Sequence, residues 1–193
     1  MINNTNFSKA LKLDKLKFLQ DPESGKLRCF YNMISFSGSG DRVRPGPSRR
    51  SKEINLVMEN ALAPALDLTA FPGSAVEVHV NLIQTDAGTR CAAITAAAMA
   101  LADAGFRMKD LVSAVAVGSI NGNVVADLDK TEEDISDAVD IPIAMMPNEE
   151  KVTLLQLDGK ITQEALLEAV ELAKPVCKKI AELQRKAITE RYQ

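Results

Sequence analysis

The apolar positions along this chain change period several times, and each change marks an element. Leu27 to Phe36 carries the aromatic and apolar content of a strand, and Gly38 to Pro47 is a Gly/Pro-rich loop that interrupts it. Ser48 stands where a helix N-cap belongs. From Arg49 to about Leu66 the residues Ile54, Val57, Met58, Ala61 and Leu62 recur at helical spacing with charged residues between them. Phe71-Pro72-Gly73 turns the chain, after which Val76, Val78, Val80 and Leu82 alternate with Glu77, His79 and Asn81, the period of a strand covered on one face. Asp86-Ala87-Gly88 breaks that strand. Thr89 to Ala104 is almost wholly apolar and rich in small residues, which predicts a buried helix stopped by Gly105.

Two short apolar strands follow, Leu111 to Gly118 and Asn123 to Leu128, joined by Ile120-Asn121-Gly122, whose Asn-Gly is a hairpin signal. Ile141 to Met146 and Lys151 to Leu157 form a second pair around Pro147-Asn148. Thr162 then caps a long amphipathic helix running to about Arg191, with Glu164 in its first turn and Lys178, Lys179, Arg185 and Lys186 later, as the helix dipole favours. Strand, helix, strand, helix, four strands, helix predicts an α+β sandwich in which helices cover a sheet. Residues 1–26 carry Leu11, Leu13, Leu16, Phe18 and Leu19 among charges and end in the turn Asp21-Pro22-Glu23-Ser24-Gly25, which sets them apart from a domain over 27–193.

Composition narrows the class. With 193 residues, 46% hydrophobic and 25% charged, the chain suits one globular domain and excludes a disordered, collagen-like or disulfide-scaffold protein. Cys29, Cys91 and Cys177 are odd in number, far apart and without metal-ligand spacing, so they read as reduced core thiols. Met1 to Ala10 shows no signal-peptide pattern and no apolar run approaches the length of a membrane span, which predicts a cytoplasmic protein with no membrane partner.

The net charge of −3 hides a segregation. Residues 41–52 set Arg42, Arg44, Arg49, Arg50 and Lys52 against Asp41, a net +4. Residues 127–140 set Asp127, Asp129, Glu132, Glu133, Asp134, Asp137 and Asp140 against Lys130, a net −6. Both can be solvated loops, but arginines around Pro-Gly-Pro at a helix start present planar forks to an anion: a nucleic-acid strand, a nucleotide or an acidic protein. Gly88, Thr89 and Arg90 stand at the start of the apolar helix, where a close backbone approach, a hydroxyl, a guanidinium and free amides suit phosphate; an ordinary capped helix is the plain alternative. Asp134 and Asp140 lie six apart and act together only if the chain bends between them, in which case they suit a divalent cation or a proton transfer to a leaving oxygen. His79, the single histidine, sits mid-strand with no triad-like context, so chemistry falls to carboxylates, arginines and metal.

The segments RPGPSRR (Arg44 to Arg50), LIQTDAGTRCAAITAAAMALADAG (Leu82 to Gly105), MKDLVSAVAVG (Met108 to Gly118), DLDKTEEDISDAVDIPIAMMP (Asp127 to Pro147) and VTLLQLDGKIT (Val152 to Thr162) together resemble the RNase PH family, most closely the catalytic subunits of the archaeal exosome core. The resemblance implies an RNase PH-like β-α-β-α sandwich and a phosphorolytic 3′→5′ exoribonuclease that releases nucleoside diphosphates from an RNA 3′ end. It implies that Gly88, Thr89 and Arg90 hold the attacking phosphate, Thr89 replacing the serine of many relatives. Asp134 would be the essential acid and Asp140 its companion, together placing Mg2+ (or Mn2+) or protonating the leaving 3′ oxygen. Arg49 and Arg50 would grip the RNA backbone, with Arg42 and Arg44 as looser contacts. Implied partners are RNA, an inactive homologous sister subunit in a hexameric ring of three heterodimers, and RNA-binding cap proteins. A non-catalytic ring subunit and a homohexameric tRNA 3′-end trimming enzyme are the alternatives. Residues 1–26 do not match the family's front segment, so its first strands are expected to be missing or replaced, leaving a sheet edge and an apolar face open.

Overall fold

The computed structural model describes residues 12–14, 23–38, 44 and 46–193. Its strands are β1 (Lys12–Asp14), β2 (Lys26–Met33), β3 (Ala75–Leu82), β4 (Ser113–Ile120), β5 (Asn123–Ala126), β6 (Val139–Met146) and β7 (Lys151–Leu155). Its α-helices are α1 (Arg49–Leu62), α2 (Thr89–Asp103), α3 (Lys130–Glu133) and α4 (Gln163–Arg191).

The strand-helix-strand run from β2 to β3 closes as a parallel pair, with α1 as the crossover, and β1 adds antiparallel to the other side of β3. In β2, Leu27, Cys29 and Tyr31 face inward while Lys26, Phe30 and Asn32 face water. Ser48 caps α1 through a capping box with Ser51, and Ile54, Met58, Ala61 and Leu62 form its buried stripe. The later strands form a separate antiparallel sheet in the order β5-β4-β6-β7. The helices of the expected α+β sandwich therefore cover two sheets rather than one layer.

The reason lies in β4 and β6, which are buried on both faces. Ala114, Ala116, Ala144 and Met146 join a core with β2, β3, α1 and α2, while Val115, Val117, Ile141, Ile143 and Met145 join a second core with Ala169, Ala173 and Cys177 of α4. Small side chains thus admit α2 on one face and bulkier ones meet α4 on the other. The layers run sheet, α1 with α2, sheet, α4, which is the β-α-β-α sandwich. A short edge expected to be open is partly covered, because β1 pairs with Ala75, Val76 and Glu77.

Local signals hold where chemistry enforces them. Asn121 and Gly122 both take positive φ, as the tight β4–β5 hairpin requires. Gly118 is needed for a different reason: a Cβ there would lie 2.1 Å from Leu128 Cδ1 and 2.4 Å from the Val139 carbonyl oxygen. Pro175 interrupts α4 only on its exposed side. All three cysteines are buried free thiols; burial pushes Cys177 up to about 11 and Cys29 and Cys91 further.

Candidate active site

The loop from β3 into α2 turns sharply because Ala87 and Gly88 are successive left-handed residues. Gly88 is the N-cap and makes no side-chain cap bond, so no side chain of its own covers the first amides of α2. Thr89 is buried, and its Oγ1 accepts a 2.8 Å hydrogen bond from the Tyr31 hydroxyl. Arg90 is half-buried and donates from Nη1 to Gln156 Oε1 at 2.8 Å, which aims its guanidinium along the end of β7.

The acidic run reaches the same place through the backbone. Asp129 caps α3 in a capping box with Glu132, and the Lys130 amide donates to Asp86 Oδ1 at 3.1 Å, tying this run to the loop before α2. The chain bends after α3 and enters β6, where the backbones of Asp140 and Asp158 exchange two hydrogen bonds of 3.1 and 2.9 Å. The Asp140 carboxyl lies half-buried, and burial raises its pKa. Arg90 opposes that rise, Glu133 and Asp158 add to it, and Arg50 again opposes it. Residues from α1, α2, α3, β6 and the segment after β7 therefore meet electrostatically around Asp140.

Asp134 is placed differently from its companion. Its side chain is 64% exposed and its Oδ1 is 2.5 Å from Lys130 Nζ, which also lies 3.4 Å from Glu133. Arg44, Arg49 and Arg50 are exposed, Arg49 and Arg50 in the first turn of α1; Arg42 lies outside the described residues. The charge of Arg50 acts on both Asp140 and Tyr31. His79 stands apart, stacked on Phe30 with centroids 4.5 Å apart and 3.5 Å from Glu77. Among the described residues, no group of three or more His, Cys, Asp or Glu is arranged to hold a metal.

Tyr31 and Gln156 escaped the sequence reading. Tyr31 offered a signal, since a tyrosine on the buried face of an alternating strand needs a partner for its hydroxyl. Gln156 offered one only through its place beside the Leu154-Leu155 pair in a segment already singled out.

The sequence profile described as "3' exoribonuclease family, domain 1" matches residues 4–107, and that described as "3' exoribonuclease family, domain 2" matches residues 110–175. The chain belongs to the 3′ exoribonuclease family. It is a phosphate-dependent 3′→5′ exoribonuclease. The exoribonuclease is 50% identical over 176 residues to "Exosome complex component Rrp41" of Thermococcus kodakarensis, covering 91% of this chain and 70% of that protein. It is 49% identical to the protein of the same name from Pyrococcus abyssi and 47% to that from Nitrosopumilus maritimus, again over 91% of this chain and over 70% and 71% of the two relatives. Its fold superposes on the crystal structure of rice (Oryza sativa) Rrp46 with a TM-score of 0.78 at 17% identity, over 92% of this chain and 82% of that one. The first-domain match starts at residue 4, inside the segment that sequence reading set apart. Gly88, Thr89 and Arg90 fall in the first matched part and Asp134, Asp140 and Gln156 in the second, so the candidate site draws on both.

Proposed function

We propose that this exoribonuclease is the phosphorolytic subunit of an exosome-type ring in the cytoplasm, built with an inactive homologous sister subunit as three heterodimers, to which RNA-binding cap proteins deliver RNA. The observation that supports the reading is that Arg90, at the uncapped start of α2, acts with its charge on the half-buried carboxyl of Asp140.

Inorganic phosphate binds at Gly88, Thr89 and Arg90, where helix amides and a guanidinium stabilise an anion. One of its oxygens attacks the phosphorus of the last phosphodiester. The bond from that phosphorus to O3′ of the preceding nucleotide breaks, O3′ takes a proton, and a nucleoside diphosphate leaves. Asp134 and Asp140 supply the acid function: Asp140 is held toward its protonated form by burial, and Asp134 reaches outward from the end of α3. Arg49 and Arg50 hold the RNA backbone in line, with Arg42 and Arg44 as looser contacts. Phosphoryl transfer asks mainly for alignment and charge neutralisation, which explains why His79 takes no part.

As an alternative to giving up a proton, Asp140 and Asp134 in their ionised form would hold Mg2+ or Mn2+, which hard carboxylate oxygens suit. Among the described residues no group of three or more such ligands is arranged to hold a metal, so these two carboxylates would be the chain's own contribution to holding the ion. When bound it neutralises charge developing on the transferred phosphoryl group.

The test is product analysis with the chain and its sister subunit on single-stranded RNA. Nucleoside diphosphates are expected, only with phosphate present, and Asp134→Ala should stop release while RNA still binds. Monophosphates in phosphate-free buffer overturn phosphorolysis. Full activity of the chain alone points instead to a homohexameric trimming enzyme, and RNA binding without product to a non-catalytic ring member.

A further inference from the structure

Tyr31 is held at three points. Its ring is buried in the core beneath α1 and α2. Its backbone lies on the side of β2 away from β3, an edge without a strand partner among the described residues, and there α1 substitutes for one: the Tyr31 amide donates to Asn55 Oδ1 at 2.6 Å and the Cys29 amide to Glu59 Oε1 at 2.9 Å. Its hydroxyl, the third point, donates to Thr89 Oγ1 at 2.8 Å, 58 positions along the chain. The helix that carries Arg49 and Arg50 thus fixes the strand whose tyrosine touches the first residue of α2.

A threonine hydroxyl has one proton to give and two lone pairs to receive. At a helix start it is free to turn back onto nearby backbone groups. With the phenol occupying one lone pair, the Thr89 oxygen is fixed in place and its proton remains for an acceptor outside the core. We infer that Tyr31 is a positioning residue for phosphate, orienting the Thr89 hydroxyl so that it donates to an oxygen of the attacking anion. The inference rests on the reading of Thr89 as a phosphate ligand. Burial raises the phenol above its ordinary value, with the Thr89 hydrogen bond first and the charges of Arg50 and Arg90 after it opposing only in part, so the phenol stays protonated and can donate.

Tyr31→Phe removes the hydroxyl and keeps the ring. In steady-state phosphorolysis by the assembled enzyme, with inorganic phosphate titrated at saturating RNA, it should raise KM for phosphate roughly threefold to tenfold. RNA affinity and kcat should stay within about twofold if the lost bond acts on phosphate binding alone. Thr89→Ala should raise the same KM, and Tyr31→Phe added to Thr89→Ala should raise it no further, whereas a merely structural loss would add in full. In a Thr89→Ser background, which keeps the hydroxyl, the effect of Tyr31→Phe should return. If Thr89→Ala raises KM for phosphate but Tyr31→Phe does not, or adds in full, the Tyr31 inference fails alone. If Thr89→Ala leaves KM unchanged, the phosphate reading of Thr89 fails and takes the inference with it.

Discussion

Asp140 is the residue at which function and stability pull apart. Its carboxyl is raised above the ordinary value of 3.8 chiefly by burial, with Arg90 resisting, so the folded state prefers the protonated form. A group raised in this way contributes stability that is whole below its unfolded value and is lost as pH climbs through its folded value. Asp140→Asn keeps the shape without the charge. In metal-free buffer it should melt higher than the parent at pH 7, with the difference closing as pH falls below about 4. Its phosphorolysis rate should drop about 100-fold or more. A variant that melts lower at pH 7, or that keeps its rate, would remove Asp140 from the acid role. The same scale shows what sequence spacing can and cannot reveal. Gly88, Thr89 and Arg90 are contiguous, so their grouping was legible. The bonds that aim them, Tyr31 to Thr89 and Gln156 to Arg90, span 58 and 66 positions and leave no local trace.

Among the elements, β4 and β6 decide how the active site is held. Gly118 stands opposite Asp140 in the register of these strands, and there is no room for a methyl group against Leu128 and the Val139 carbonyl. Gly118→Ala must therefore displace the start of β6. It should cost about 1–3 kcal/mol in urea unfolding and lower phosphorolysis as well, because the displaced backbone carries Asp140. An unchanged unfolding midpoint would show that the strand yields freely. The long periodic elements were readable because a face pattern repeats over many residues: the stripe of Ile54, Met58, Ala61 and Leu62 in α1, or Val76 and Val78 in β3. The four residues of α3 contain no apolar repeat, although Asp129 and Glu132 carry a capping-box spacing that marks a helix start. The three residues of β1 alternate too briefly to announce a strand. The split into two sheets depends on Val115 and Val117 meeting α4 while Ala114 and Ala116 meet α2, a division that a run of small apolar residues conceals until the layers are assembled.

At the scale of the whole molecule, a net charge of −3 conceals a +4 run and a −6 run, and folding sets Arg50 of the first within electrostatic reach of Asp140 of the second. The charge of Arg50 acts on Asp140, and Asp86 fastens the acidic run beside the start of α2, so the proposed RNA-binding and acid groups lie within reach of one another. In the proposed function, RNA held by Arg49 and Arg50 would reach the carboxyl of Asp140 from the head of α1. Such a path makes binding a matter of counterion release, and each backbone phosphate neutralised on a single strand contributes about 0.7 to the slope of log affinity against log salt. Arg49→Ala combined with Arg50→Ala removes two such contacts. Binding of single-stranded RNA to the assembled ring should weaken at low salt, and the slope should become shallower by about 1.4. The carboxylates remain in place, so cleavage at saturating RNA should fall less than affinity does. A slope unchanged within error would mean that the arginines at the head of α1 face solvent while RNA reaches Asp140 by another route.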